Sequence, residues 1–120
     1  MDALTTFPTI ATGAQIATAA LAGWGVTAFE DGDVDAGTSW LVLGRGEGRP
    51  QEDREPYLLI ILYASEEADC IMNLPVQRHD TWRLVSGDGT GTEREIVTES
   101  ARRIDRVAAR AAEWLFAPQD

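Results

Sequence analysis

The longest apolar segment of the chain is the run YLLIILYA at residues 57–64. Successive side chains of a strand point to opposite faces of its sheet, so a run that is apolar at every position predicts a strand covered on both faces. Such a strand belongs in the middle of a sheet, with neighbours on both edges. The run is too short to cross a bilayer as a helix, so we expect no membrane association.

Turn-forming residues divide the rest of the chain into further short strands. Residues 81–85 and 92–97 predict a hairpin joined by a glycine-rich turn at 86–91. Aromatic and β-branched residues predict strands at residues 24–29 and 39–43, and a further short strand, ended by Pro75, is predicted at residues 70–74. Between these strands we expect an acidic turn at residues 30–37 and a long flexible loop at residues 44–56.

Two helices are predicted, one near each end of the sheet-forming region. Thr12 followed by Gln15 has the spacing of a capping box, and Gly23 is expected to end this short helix in the left-handed conformation. A longer helix is predicted from about residue 98 to residue 116, because apolar residues recur there with helical spacing: Ile104, Val107, Ala108, Ala111 and Leu115.

These elements predict one α+β domain over residues 1–120. We expect an antiparallel meander sheet of about five strands, packed by the short N-terminal helix and the long C-terminal helix. Residues 1–9 and 117–120 are expected to fray. Trp24, Trp40 and Trp82 fall on predicted strands, so we expect them in the core with each indole N–H hydrogen-bonded.

The charge of the chain restricts its chemistry. Acidic residues number 20 and basic residues 10, all of them arginine, for a net charge of −10. The absence of lysine excludes a Walker A loop, a protein-kinase site and Schiff-base catalysis. The acidity argues against direct nucleic-acid binding, which needs clustered positive charge. A lysine-free, alanine-, glycine- and arginine-rich composition is also typical of GC-rich genomes, as in actinobacteria and their phages, and an acidic surface suits a high-salt cytoplasm.

The single cysteine, Cys70, permits no internal disulfide and no multi-cysteine metal site. The chain begins Met-Asp-Ala-Leu, without the basic segment that opens a signal peptide. We therefore expect a cytoplasmic protein.

Recognised site motifs are each incomplete in this chain. The series Asp31, Asp33, Asp35 has the spacing of a calcium loop, but Ala36 and Val42 occupy the positions that need glycine and glutamate. The glycine-rich segments 44–48 and 87–91 are not followed by a helix that could complete a phosphate cradle. His79 is expected in a polar turn, apart from an apolar Cys70. We predict no catalytic, metal or cofactor-binding site, and hence not an enzyme.

The predicted C-terminal helix carries a candidate partner-binding surface. Arg102, Arg106 and Arg110 recur every four residues, with Arg103 beside them and Trp114 at the edge of the core stripe. Arginine and tryptophan are favoured in protein interfaces. The alternative is a solvated helix face whose arginines pair with nearby carboxylates.

A second candidate surface is acidic and consists of turn residues: Asp31, Asp33, Asp35, Glu66 and Glu67. Together the two surfaces predict a small acidic protein that acts by contact on a protein partner, as an inhibitor, immunity protein, adaptor or chaperone, and is a monomer or homodimer. One alternative is a DNA mimic that occupies a nucleic-acid-binding protein. The other is a small-ligand binder or enzyme with a pocket between the sheet and the helices.

Overall fold

Five strands form one antiparallel sheet in which neighbours in the chain are neighbours in space. The computed structural model describes residues 11–33, 38–46, 48–52, 54–63 and 75–117. In chain order its elements are α1 (Gly13–Ala22), β1 (Phe29–Asp33), β2 (Thr38–Leu43), β3 (Tyr57–Tyr63), β4 (Thr81–Gly87), β5 (Glu93–Ser100), a 3₁₀ turn (Ala101–Arg103) and α2 (Ile104–Phe116). The predicted α+β meander with two helices is confirmed.

The central strand β3 is buried on both faces, as its unbroken apolar run predicted. Leu58, Ile60 and Leu62 lie in the main core with both helices. On the opposite face, Leu59 and Ile61 form a smaller apolar cluster with side chains of β2 and β4. Of the elements that the structure describes, both helices pack on the first face only.

Trp82 joins the sheet to the start of the C-terminal helix. Its side chain is fully buried in the main core. The indole Nε1 donates to the carbonyl oxygen of Ala101, 3.0 Å away, in the 3₁₀ turn that leads into α2. The hydrogen bond satisfies the one polar group of a side chain that carries a large apolar surface into the core.

The N-terminal helix has the predicted capping box but a different end. Thr12 Oγ1 accepts from Gln15 N at 3.2 Å, and Gln15 Oε1 accepts from Thr12 N at 2.9 Å. Gly23 has a right-handed conformation, with φ −62°, so the prediction of a left-handed stop there is wrong. Gly25, with φ 73°, takes that role, because the chain reverses when Val26 N donates to the carbonyl oxygen of Leu21.

The strand predicted at residues 24–29 is wrong. Residues 24–28 close α1 and connect it to β1, which begins at Phe29. The strand continues through the acidic residues to Asp33, where a turn was predicted. Cross-strand pairing explains the difference, since β1 pairs with β2 along its whole length, from Phe29 opposite Val42 to Asp33 opposite Thr38.

The C-terminal helix begins later than predicted. Residues 98–100 continue β5, where Ser100 lies opposite Thr81, and the α-helix starts only at Ile104. Pairing with β4 therefore overrides the local helical pattern. Several predictions fall outside the described residues: the strand at 70–74 with Cys70, and the termini 1–9 and 118–120. In the described part of the 44–56 loop there is no helix or strand.

Two tryptophans depart from the predicted core positions. Trp24 is 51% exposed in the turn after α1. Trp40 is half-buried on the second sheet face, and its Nε1 has no hydrogen-bond partner among the described residues. Of the three tryptophans, only Trp82 is both buried in the core and hydrogen-bonded through its indole N–H.

Candidate functional site

The predicted arginine stripe is divided between two elements and is largely ion-paired. Arg102 and Arg103 lie in the 3₁₀ turn, whereas Arg106 and Arg110 lie one turn apart on α2. Carboxylates lie within 4 Å of three of these arginines, in the pairs Arg103–Asp105 at 3.0 Å, Arg106–Glu99 at 3.9 Å and Arg110–Glu113 at 3.9 Å. Exposed pairs of this kind contribute about 0–1 kcal/mol each and leave the arginines accessible.

Trp114 is half-buried, and it is in contact with Arg45, which the sequence pattern did not predict. The guanidinium carbon of Arg45 lies 3.7 Å from the centroid of the Trp114 ring. Arg45 Nη2 also donates to the carbonyl oxygen of Trp114 at 2.8 Å. Stacking and hydrogen bonding together hold the guanidinium in one orientation against the last turns of α2.

Arg45 separates two surface clefts. The first, which we call the helix-end cleft, has a volume of about 330 Å³ and is lined by residues 25–27, Phe29, residues 44–46, Leu115 and Phe116. Both helices end beside it, since Gly25 closes α1 and Phe116 is the last residue of α2. Phe116 is 66% exposed, and the exposed Trp24 immediately precedes Gly25.

The second cleft, which we call the hairpin cleft, has a volume of about 340 Å³. It lies between the β4–β5 hairpin and the Arg45–Trp114 contact. Its walls contain two arginines, a carboxylate, two hydroxyl side chains and two apolar rings: Arg45, Arg94, Asp88, Ser86, Thr92, Trp114 and Pro56, with Gly87.

Of the predicted acidic surface, only Asp31 has a described side chain. The side chain of Asp33 and all of Asp35, Glu66 and Glu67 lie outside the described residues. Asp31 forms a short ion pair with Arg49, whose second terminal nitrogen donates to the carbonyl oxygen of Glu30 at 3.3 Å. Arg49 also lies 3.6 Å from Glu52, and burial together with the nearby Asp31 charge raises the pKa of Glu52.

Tyr57 is buried on the second sheet face and donates from its hydroxyl to Glu93 Oε2 at 2.6 Å. Burial and the hydrogen bond to this carboxylate both disfavour the phenolate, so they raise the pKa of Tyr57 well above its ordinary value.

The raised pKa of Tyr57 predicts a loss of stability at high pH. The neutral Tyr57 side chain makes its full contribution to the free energy of unfolding below the unfolded-state pKa of about 10. This contribution is lost as the pH rises from there towards the folded-state pKa. We expect the free energy of unfolding, measured by urea denaturation between pH 8 and 11, to fall less steeply above pH 10 in Tyr57→Phe than in the wild type. Tyr63 is present in both proteins and so serves as an internal control; equal slopes would contradict the prediction.

Comparison with protein-family models, curated proteins and solved structures found no match. None of the helices that the structure describes is long and apolar enough to cross a membrane. In the described ranges, no three His, Cys, Asp or Glu side chains are grouped so that they could hold a metal ion.

Proposed function

We propose that this protein acts by contact, binding a protein partner that inserts an apolar side chain into the helix-end cleft. The observation that carries the proposal is the exposure of two large aromatic side chains. Phe116 lines the helix-end cleft together with Val26, Phe29 and Leu115, and Trp24 immediately precedes the lining residue Gly25. Exposed aromatic residues beside a pocket are typical of the few positions that dominate binding energy in interfaces.

Arg45, which lines the cleft, is held against Trp114, and the charge of the neighbouring elements favours a basic partner. No basic residue occurs in residues 1–44. This segment supplies α1, the connection to β1 and both strands of the first hairpin. The carbonyl ends of both helices carry partial negative charge and lie beside the cleft. Together with the net charge of −10 of the whole chain, these features would steer a cationic surface towards the two exposed aromatic side chains.

An inhibitor, immunity protein, adaptor or chaperone would each work in this way. A cytoplasmic location is part of the proposal, because one cysteine in 120 residues suits a reducing compartment. DNA mimicry is less favoured, because arginines pair with many of the carboxylates that would have to imitate phosphates: Asp31, Glu52, Glu95, Glu99, Asp105 and Glu113.

The test is affinity capture at low salt with the wild-type chain, followed by binding measurements with the purified partner. We expect a stoichiometric basic protein. Trp24→Ser and Phe116→Ser should each raise its Kd by roughly thirty-fold, about 2 kcal/mol, because each removes an aromatic anchor. The melting temperature should change little, since both side chains are exposed.

Arg78→Ser is the control, because Arg78 is exposed in a turn near the N-terminal end of α1, where Pro75 pairs with Thr12. Arg106→Glu, measured in the same way, tests whether the arginine stripe contributes to the interface. Recovery of no stoichiometric partner, or a Kd that neither aromatic substitution changes, would overturn the proposal.

A further inference from the structure

Arg94 differs from most of the other described arginines in its surroundings. It lies on β5 opposite Ser86 and lines the hairpin cleft. Its guanidinium has no hydrogen bond or ion pair with any described residue, although arginines at 49, 83, 103, 106 and 110 each pair with a carboxylate. In a chain with twice as many acids as bases, such an arginine beside a cleft is available for an anionic ligand.

Arg45 places a second guanidinium in the same cleft. Its stacking on Trp114 and its hydrogen bond from Nη2 fix the plane of the group. Its Nε is buried and has no hydrogen-bond partner among the described residues. A buried donor without an acceptor is unfavourable, and an oxyanion beside this guanidinium would supply the missing charge complement.

Asp88 is the one carboxylate in the described lining of the cleft, and the hairpin turn occupies one of its oxygens. Asp88 Oδ1 accepts from Thr90 N and Thr90 Oγ1, both at 2.7 Å, and from Thr92 N at 3.3 Å. The hydrogen bonds from Thr90 and Thr92 hold the pKa of Asp88 below its ordinary value. Asp88 therefore stays ionised, and the described lining of the cleft carries two positive charges, on Arg45 and Arg94, against this one negative charge.

The remaining walls suit the rest of a small organic ligand. Trp114 and Pro56 present apolar rings to the cleft. Among the described residues, Ser86 Oγ makes only a long 3.5 Å contact, with the carbonyl oxygen of Arg94, so its hydroxyl can donate to a ligand instead.

We propose that the hairpin cleft binds a small organic oxyanion, a carboxylate or phosphate attached to an apolar ring. The anionic head lies between Arg94 and Arg45 and accepts from Ser86, and the ring packs against Trp114 and Pro56. The hairpin cleft shares Arg45 with the helix-end cleft, but this proposal does not depend on the proposed protein-binding function.

The test is an NMR titration of the ¹⁵N-labelled full chain with benzoate, phenyl phosphate and, as the uncharged probe, benzyl alcohol. We expect saturable shifts of the Trp114 indole and of the amides of residues 86–94 with one or both anions, and the tighter anion identifies the head group. Arg94→Gln should weaken binding by at least ~10-fold, because it removes a charged donor.

Arg78→Gln is the matched control, an exposed arginine outside the cleft, and should bind as the wild type does. Three results would overturn the proposal: shifts that do not saturate with either anion, equal affinity for benzyl alcohol, or equal weakening in Arg94→Gln and Arg78→Gln.

Discussion

Replacing Trp82 with alanine is expected to lower the free energy of unfolding by about 3–5 kcal/mol, a large share of the stability of a small domain. The side chain is completely buried among residues of the sheet and both helices, so its removal leaves a cavity that these elements cannot close without moving. The substitution also removes the hydrogen bond to the Ala101 carbonyl. Urea denaturation followed by far-UV circular dichroism measures the loss.

Two further substitutions separate the contributions. Trp82→Phe keeps most of the apolar volume but leaves the Ala101 carbonyl without its partner, so we expect a smaller loss of about 1–3 kcal/mol. Trp24→Ala removes an equally large ring from an exposed position and should change the free energy of unfolding by less than about 0.5 kcal/mol. Equal losses for Trp82→Ala and Trp24→Ala would contradict the assignment of Trp82 to the core.

The elements that the sequence predicted well are those whose side-chain pattern is set by burial. In β3, an apolar residue at nearly every position is required because both faces are covered. In α2, the buried stripe has the helical period because one side of the helix packs on the core.

The edge strand β1 was missed because its sequence, FEDGD, carries no strand pattern. Its backbone is held by hydrogen bonding to β2, and local composition does not record that pairing. The aromatic segment at Trp24 was more strand-like but is used to close α1. Local propensity therefore failed where a long-range partner or a helix end decided the structure.

The candidate site was only partly predictable for the same reason. Trp114 was identified at the edge of the core stripe, but its partner Arg45 is 69 residues away in the chain and belongs to a loop without a pattern. Arg94 became distinctive only in the structure, where it lines the hairpin cleft without an ion pair to any described residue while five other arginines pair with carboxylates. Phe116 could have been found, because it follows the buried Leu115 and so points about 100° away from the core stripe.

Replacing Gly87 with alanine is expected to lower the free energy of unfolding by about 3 kcal/mol, the upper end of the usual cost of overpacking. Gly87 lies directly opposite Tyr57 in the β3–β4 pair, and an added Cβ would overlap Cζ and Cε1 of the tyrosine ring. The ring cannot move aside easily, because it is buried and its hydroxyl is hydrogen-bonded to Glu93. Urea denaturation of Gly87→Ala measures the cost.

A double-mutant cycle distinguishes this clash from an intrinsic need for glycine. Gly87 has no positive φ, so its backbone accepts alanine once the ring is removed. In a Tyr57→Ala background, we therefore expect Gly87→Ala to be neutral or slightly stabilising, because alanine restricts the unfolded chain more than glycine does. Gly46→Ala should be neutral in the wild type, because no atom of the described residues, its chain neighbours aside, lies within 4 Å of the added Cβ. If Gly87→Ala cost the same with and without the Tyr57 ring, the strain would lie in the strand itself, and the packing of Tyr57 over Gly87 would not be its cause.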